Sequence, residues 1–105
     1  MIDFTVVLKD LNGEDIIERN LAPDNTAKSK PLTLGAVAAN ALLAQFEDEK
    51  NLSGEEKVKR YGLAMRVVSS KDAALKAEEV AEIKKLVAKA YSPLIVGRAW
   101  GLLDP

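Results

Sequence analysis

The chain has 105 residues, of which 48% are apolar and 30% charged, so it can bury a single core and is not a disordered tail. Its 15 basic and 16 acidic residues leave a net charge of -1, which disfavours nucleic acid and anionic membrane as partners. The lack of cysteine and histidine excludes disulfides, thiolate metal sites and the usual general base.

The first elements are predicted to be strands. Alternating residues Ile2, Phe4, Val6 and Leu8 place apolar side chains on one face of residues 2–9, which is typical of a half-buried strand. Asn12 and Gly13 suit a tight turn, and residues 15–18 then return as the second strand of a β-hairpin over 2–18. Residues 20–31 are rich in turn formers and are predicted to be a loop.

Four short helices are predicted in the helical part of the chain, residues 33–103. Thr33 is a good N-cap for the first, which we expect to end near Phe46. Its inward stripe has helical spacing and comprises Leu34, Val37, Ala38, Ala41, Leu42, Gln45 and Phe46. Ser53 and Glu56 form a capping box that opens the second helix. The buried stripe predicted for that helix is Val58, Tyr61, Met65 and Val68.

The last two helices are joined by a tight turn. The third is predicted over about 77–91, with Val80, Ile83, Val87 and Ala90 facing inward. Ser92 and Pro93 predict a restart, because serine caps well and proline suits the first helical position. The fourth helix, which ends at about Leu103, is apolar around most of its circumference. It therefore belongs either in the core or against another protein.

Candidate sites are few. The acidic run Glu47-Asp48-Glu49 reads as a solvated loop rather than a cation site, because adjacent carboxylates do not converge without further ligands. The last two helices have the layout of a helix-turn-helix, but the fourth offers Arg98 alone among large apolar residues, so we favour a packed helical hairpin. The side chains predicted to contact a partner are Ile95, Val96, Arg98, Trp100 and Leu103.

No spacing of residues indicates a catalytic mechanism. The sequence contains no P-loop, no glycine-rich dinucleotide turn and no nucleophile elbow. We therefore predict a protein that is not an enzyme and has no catalytic residue, cofactor or metal. A small enzyme that uses carboxylates or a lysine and a tyrosine is kept as an alternative.

Four segments carry a resemblance to a known class of proteins. They are residues 31–35 (PLTLG), 39–43 (ANALL), 50–57 (KNLSGEEK) and 91–97 (YSPLIVG). Together they resemble small uncharacterised proteins encoded in tailed-phage and prophage genomes. The resemblance implies a phage-derived protein made in a bacterial cytoplasm, and it implies no activity or functional residue.

The sequence as a whole predicts an α+β fold, with an N-terminal β-hairpin followed by four short α-helices in one compact domain spanning residues 1–105. The start of the chain lacks the features of a signal or transit peptide, and no apolar run reaches the ~20 residues of a membrane span, so we expect a cytoplasmic protein. The predicted function is non-catalytic protein–protein contact, as an assembly accessory or a modulator of a host protein. The partner is unidentified, and a homo-oligomer is one option. A DNA-binding regulator that uses the last two helices is the other alternative.

Overall fold

A computed structural model describes residues 2–21, 27–49, 51–68 and 70–103, and it describes side-chain surroundings for these residues outside 18–30. Its four helices are α1 (Leu34–Leu43), α2 (Gly54–Val67), α3 (Ala77–Ala90) and α4 (Pro93–Leu103). A short 3₁₀ turn at Glu47–Glu49 lies between α1 and α2. Two short strands, β1 (Ile17–Leu21) and β2 (Ala27–Pro31), pair antiparallel with each other.

Helix α1 lies at the centre of the helical globule. It packs against α2 and α3, with a smaller contact to α4, and α4 packs against α3. Seven of its ten residues are buried, and the alanines at 38, 39 and 41 allow neighbouring helices to approach closely. The other helices contribute narrower stripes to the same core. None of the helices in the described residues is both long enough and apolar enough to cross a bilayer.

The prediction of an α+β fold with a hairpin over residues 2–18 is wrong. Among the residues whose side chains are described, the globule is all-α and no strand residue is buried in its core. Residues 2–16 form only isolated bridges. One joins Lys9 to Asp15, and the other two join residue 2 to Ala73 and residue 7 to Thr33. The β1–β2 ribbon lies later in the chain than the predicted hairpin. The side chains of this ribbon whose surroundings are described are Ile17 and Pro31, and neither is buried.

Local side-chain hydrogen bonding explains why the first segment is not a strand. Asp3 Oδ1 accepts from the backbone N–H of Thr5 at 2.9 Å and from its hydroxyl at 2.6 Å, and the backbone turns at Phe4 and Thr5. The Phe4 backbone N–H then donates to the Ser70 carbonyl, and the Phe4 carbonyl accepts from Gly35. The alternation of apolar residues indicates burial correctly at three of its four positions, because Ile2, Phe4 and Leu8 lie in the core, whereas Val6 is half-buried.

The turn at Asn12 and Gly13 forms without the strands expected on either side. Gly13 has a φ of 82°, which suits glycine, and its N–H donates to the carbonyl of Asp10. Beyond the turn, the backbone N–H of Ile16 donates to Leu8. The segment predicted as a loop over 20–31 contains paired strand residues at 20–21 and 27–31, and residues 22–26 lie outside the described residues.

Most helix starts agree with the capping signals. Thr33 Oγ1 accepts from Ala36 N–H and Ser53 Oγ from Glu56 N–H, each at 3.1 Å, which confirms both N-caps. Helix α4 begins at Pro93 as predicted. Helix α1 ends at Leu43, short of the predicted Phe46. In α3, Ile83 and Val87 are buried and Val80 is half-buried, whereas Ala90 is exposed, so that part of the predicted face is wrong.

Candidate functional site

Helix α2 presents an apolar stripe to solvent. The exposed fractions are 70% for Val58, 57% for Tyr61, 62% for Met65 and 43% for Val68. We call these four side chains the α2 apolar face. The prediction that they form the buried stripe of this helix is wrong. A contiguous group of exposed large apolar side chains on an ordered helix is typical of an interaction surface, whereas scattered single ones are ordinary.

The opposite side of α2 is the one packed against the globule. Its buried residues are Arg60, Leu63, Ala64 and Val67. The sequence thus contains two stripes of helical spacing, and the one that holds an arginine is buried. Small Ala64 and Val67 suit contact with the alanine-rich α1, and Arg60 is tolerated because two carboxylates neutralise it.

Arg60 is the centre of a buried ion-pair cluster. Its two terminal nitrogens donate to the two carboxylate oxygens of Glu49 at 2.8 and 2.7 Å, and one of them lies 3.2 Å from Glu82 Oε1. The side chains of Arg60 and Glu49 are only 8% and 14% exposed. The buried Nε of Arg60 has no hydrogen-bond partner within the part of the chain that the structure describes. The cluster connects the 3₁₀ turn, α2 and α3.

The electrostatics of this cluster favour charged side chains. Hydrogen bonding from Arg60 lowers the pKa of Glu49, and hydrogen bonding to Glu49 raises the pKa of Arg60. Nearby, the backbone N–H of Lys76 and the Arg66 guanidinium lower the pKa of Glu79. A general acid needs the opposite shift in a carboxyl pKa, so neither glutamate is tuned to act as a general acid.

Two surface clefts flank Arg60. One, of about 360 Å³, is lined by ionisable side chains from α2 and α3. The other, of about 430 Å³, is lined by apolar side chains such as Leu42 and Phe46 and by the charged side chains of Glu49, Lys57 and Arg60. The first cleft contains carboxylates and lysines, which the small-enzyme alternative could use, but it contains no tyrosine. Its Glu79 carboxylate is already bound by Arg66 and by the backbone N–H of Lys76.

Helix α4 divides its apolar residues between the core and the surface. Of the predicted partner contacts, Leu103 is buried, Ile95 and Val96 are half-buried against the core, and Trp100 is 42% exposed. Arg98 is exposed as well. The structure therefore does not bring these five residues together on one open surface.

The two large polar-tipped side chains of α4 make internal contacts. Arg98 donates from Nε to the Lys9 carbonyl at 3.0 Å and from a terminal nitrogen to the Asp10 carbonyl at 2.9 Å, which ties α4 to the N-terminal turn. Trp100 Nε1 donates to the Lys84 carbonyl at 3.1 Å, and the Lys84 ammonium lies 5.6 Å from the indole centroid. Because Arg98 is held by these two hydrogen bonds, it is not available to contact a DNA groove as a recognition helix would require.

The acidic run takes part in ion pairs. Asp48 accepts from Lys89 Nζ at 2.8 Å, and Glu49 is paired with Arg60. Among the described residues, no three side chains of the His, Cys, Asp and Glu types are grouped so that they could hold a metal ion.

Sequence reasoning therefore missed the α2 apolar face as a surface. The helix carries two stripes of helical spacing in the sequence, but which of them faces solvent depends on which one the rest of the chain covers.

Comparison of the chain with protein-family models, with curated proteins and with solved structures found no match.

Proposed function

We propose that the protein acts through protein–protein contact, with the α2 apolar face as the contact surface. The observation that supports this function is the exposure of Val58, Tyr61 and Met65 on a helix whose opposite side is fully packed. Burying apolar side chains against a partner is favourable by about 25 cal/mol per Å² of apolar surface removed from water. Aromatic residues and methionine are also enriched where protein interfaces are formed.

The surface has open space at its centre and charged residues at its borders. Gly62 lies within the face, and a side chain placed there would meet nothing within 4 Å. A partner can therefore approach the helix backbone between Val58 and Met65. Charged residues border the face on both sides, with Lys57 on one flank and Arg66 on the other, which resembles the polar rim of an interface.

A role as an assembly accessory or a host-protein modulator is part of this proposal. So are a phage or prophage origin and a bacterial cytoplasmic location, which rest on the resemblance of the sequence alone. The absence of a catalytic residue or cofactor also stays a prediction.

The experiment is site-specific photo-crosslinking of the full chain in bacterial cells. A benzophenone amino acid replaces Met65 in one variant and Leu11, which is 85% exposed in the N-terminal turn, in a control variant. We expect protein adducts from position 65, loss of those adducts when Val58→Glu is added, and no comparable adducts from position 11. Equal labelling from positions 65 and 11 would refute the proposed surface.

A further inference from the structure

We infer that residues 44–49, which directly follow α1, form a strap that opens on its own while the four helices stay packed. The strap is held closed mainly by charged contacts to α2 and α3. It contains none of the residues of the α2 apolar face, so its opening does not depend on the proposed contact surface.

Apolar burial contributes little to holding the strap. None of its six residues is buried, and Phe46 alone among them packs against the core. Among the described residues, its backbone hydrogen bonds outside α1 are short-range. The Glu49 N–H donates to the Phe46 carbonyl at 3.1 Å, and the Glu49 carbonyl accepts from the Leu52 N–H at 3.2 Å. A segment with few buried apolar contacts and local hydrogen bonds opens at a lower free energy than the globule as a whole.

Two cations connect the strap to the helices beside it. Arg60 on α2 donates to both carboxylate oxygens of Glu49, at 2.8 and 2.7 Å. Lys89 on α3 donates to Asp48 Oδ2 at 2.8 Å. The Lys89 ammonium also lies 3.9 Å from Glu49 Oε2 and 5.2 Å from the centroid of the Phe46 ring. These contacts are made by the ends of long side chains, so they can break without any change in the packing of α2 and α3 on α1.

Opening of the strap does not leave Arg60 without a carboxylate. One terminal nitrogen of Arg60 also lies 3.2 Å from Glu82 Oε1 on α3, outside the strap. When the strap lifts away, Glu49 becomes solvated and the guanidinium keeps Glu82 while it gains access to water. The large penalty for an unpaired buried charge is therefore avoided.

The open strap exposes apolar surface that the closed strap covers. Phe46 and Glu49 form part of the wall of the cleft of about 430 Å³, together with Leu42, which is buried. Lifting the strap removes this part of the wall from beside Leu42 and widens the cleft at the end of α1. The closed structure thus conceals apolar surface that the open one presents to solvent.

Native-state hydrogen exchange of the full wild-type chain, followed by NMR at low concentrations of urea, tests the inference. The Glu49 amide reports on the strap, and the Leu86 amide, in the buried part of α3, reports on global unfolding. After correction for intrinsic rates, we expect Glu49 to exchange at least ~30-fold faster than Leu86, with a weaker dependence on urea because local opening exposes little surface. Equal rates with equal urea dependence would overturn the inference. So would a Glu49 amide without protection, because the strap would then not be held closed.

Two lysine variants test whether charge holds the strap. Lys89→Gln removes the cation that Asp48 and Phe46 contact, and we expect it to speed exchange at Glu49 about 5-fold. Lys85→Gln, at an exposed position of the same helix, is the matched control and should change that rate less than about 2-fold. No effect of Lys89→Gln on Glu49 would overturn the inference.

A core variant tests whether the strap opens separately from the globule. Ile83→Val removes one methyl group from a fully buried side chain of α3. We expect it to speed exchange at Leu86 by ~2- to 10-fold, because it weakens the core. It should leave the rate at Glu49 unchanged, because the helices stay packed when the strap opens. Equal acceleration at Glu49 and Leu86 would show that the two open together and would overturn the inference.

Discussion

Gly35 lies where three segments of backbone meet, and replacing it with alanine is expected to loosen the packing of α2 on α1. Its N–H donates to the Phe4 carbonyl at 2.8 Å, in the first turn of α1. A Cβ at this position would lie 2.2 Å from the Val68 carbonyl oxygen and 2.9 Å from the Phe4 carbonyl oxygen. Both obstacles are backbone atoms, so no side-chain rotation can relieve the overlap.

The expected loss of stability follows from two opposing effects. Ordinary contact begins near 3.4 Å, so the end of α2 and the N-terminal segment must each move to admit the methyl group. Overpacking of this kind costs about 3 kcal/mol, at the upper end of the usual range. Replacing a helical glycine by alanine contributes about 1 kcal/mol in the other direction. The net loss expected for Gly35→Ala is therefore about 2 kcal/mol.

Gly97→Ala is the matched control. Gly97 is exposed within α4 and a Cβ there would meet nothing within 4 Å, so this variant keeps only the helix-propensity gain of about 1 kcal/mol. The free energy of unfolding is measured by urea titration, with far-ultraviolet circular dichroism and the fluorescence of Trp100 as probes. We expect the two alanine variants to differ by about 3 kcal/mol. A Gly35→Ala protein as stable as the wild type would refute the reasoning about this close approach.

Two further predictions concern the ion pairs around α2. Arg60→Met is expected to lower the free energy of unfolding by about 3 kcal/mol, because it removes the guanidinium that Glu49 and Glu82 share. Lys57→Met, at an exposed position of the same helix, should change the free energy of unfolding by less than about 0.5 kcal/mol in the same urea titration. The folded-state pKa values of Glu49 and Glu79 lie below their ordinary value of 4.5, so their contribution is present above that pH and is lost as the pH falls further. Urea titrations at a series of pH values should show stability falling below about pH 4.5, and less steeply in Glu49→Gln; an equal slope in that variant would contradict the assigned role of Glu49.

The helix starts could be predicted because capping is local. Thr33 and Ser53 each accept a hydrogen bond from an N–H three residues later, so the signal and the structure lie in the same short segment. The third helix begins at Ala77, as expected, although Lys76 is a poor cap. There the Glu79 carboxylate accepts from the Lys76 backbone N–H at 2.9 Å and performs the capping role.

The fold class could not be predicted correctly because the apolar pattern of the first segment is compatible with two backbone structures. Alternation from Ile2 to Leu8 indicates which side chains point inward, and it does so whether the backbone pairs with a strand or lies across helices. Most of its backbone hydrogen-bond partners, among them Ser70, Gly35 and Leu32, lie far along the chain. No local feature identifies those partners.

The orientation of α2 separates what the sequence determines from what only the tertiary structure decides. The sequence by itself determined that a helix begins after Ser53 and carries an apolar stripe, because propensity, capping and spacing are properties of a short segment. Only the tertiary structure decided that the stripe with Arg60 is buried and that Tyr61 and Met65 stay exposed. The physical reason is that a buried arginine is tolerated only where carboxylates converge on it, and Glu49 and Glu82 reach it from other parts of the chain.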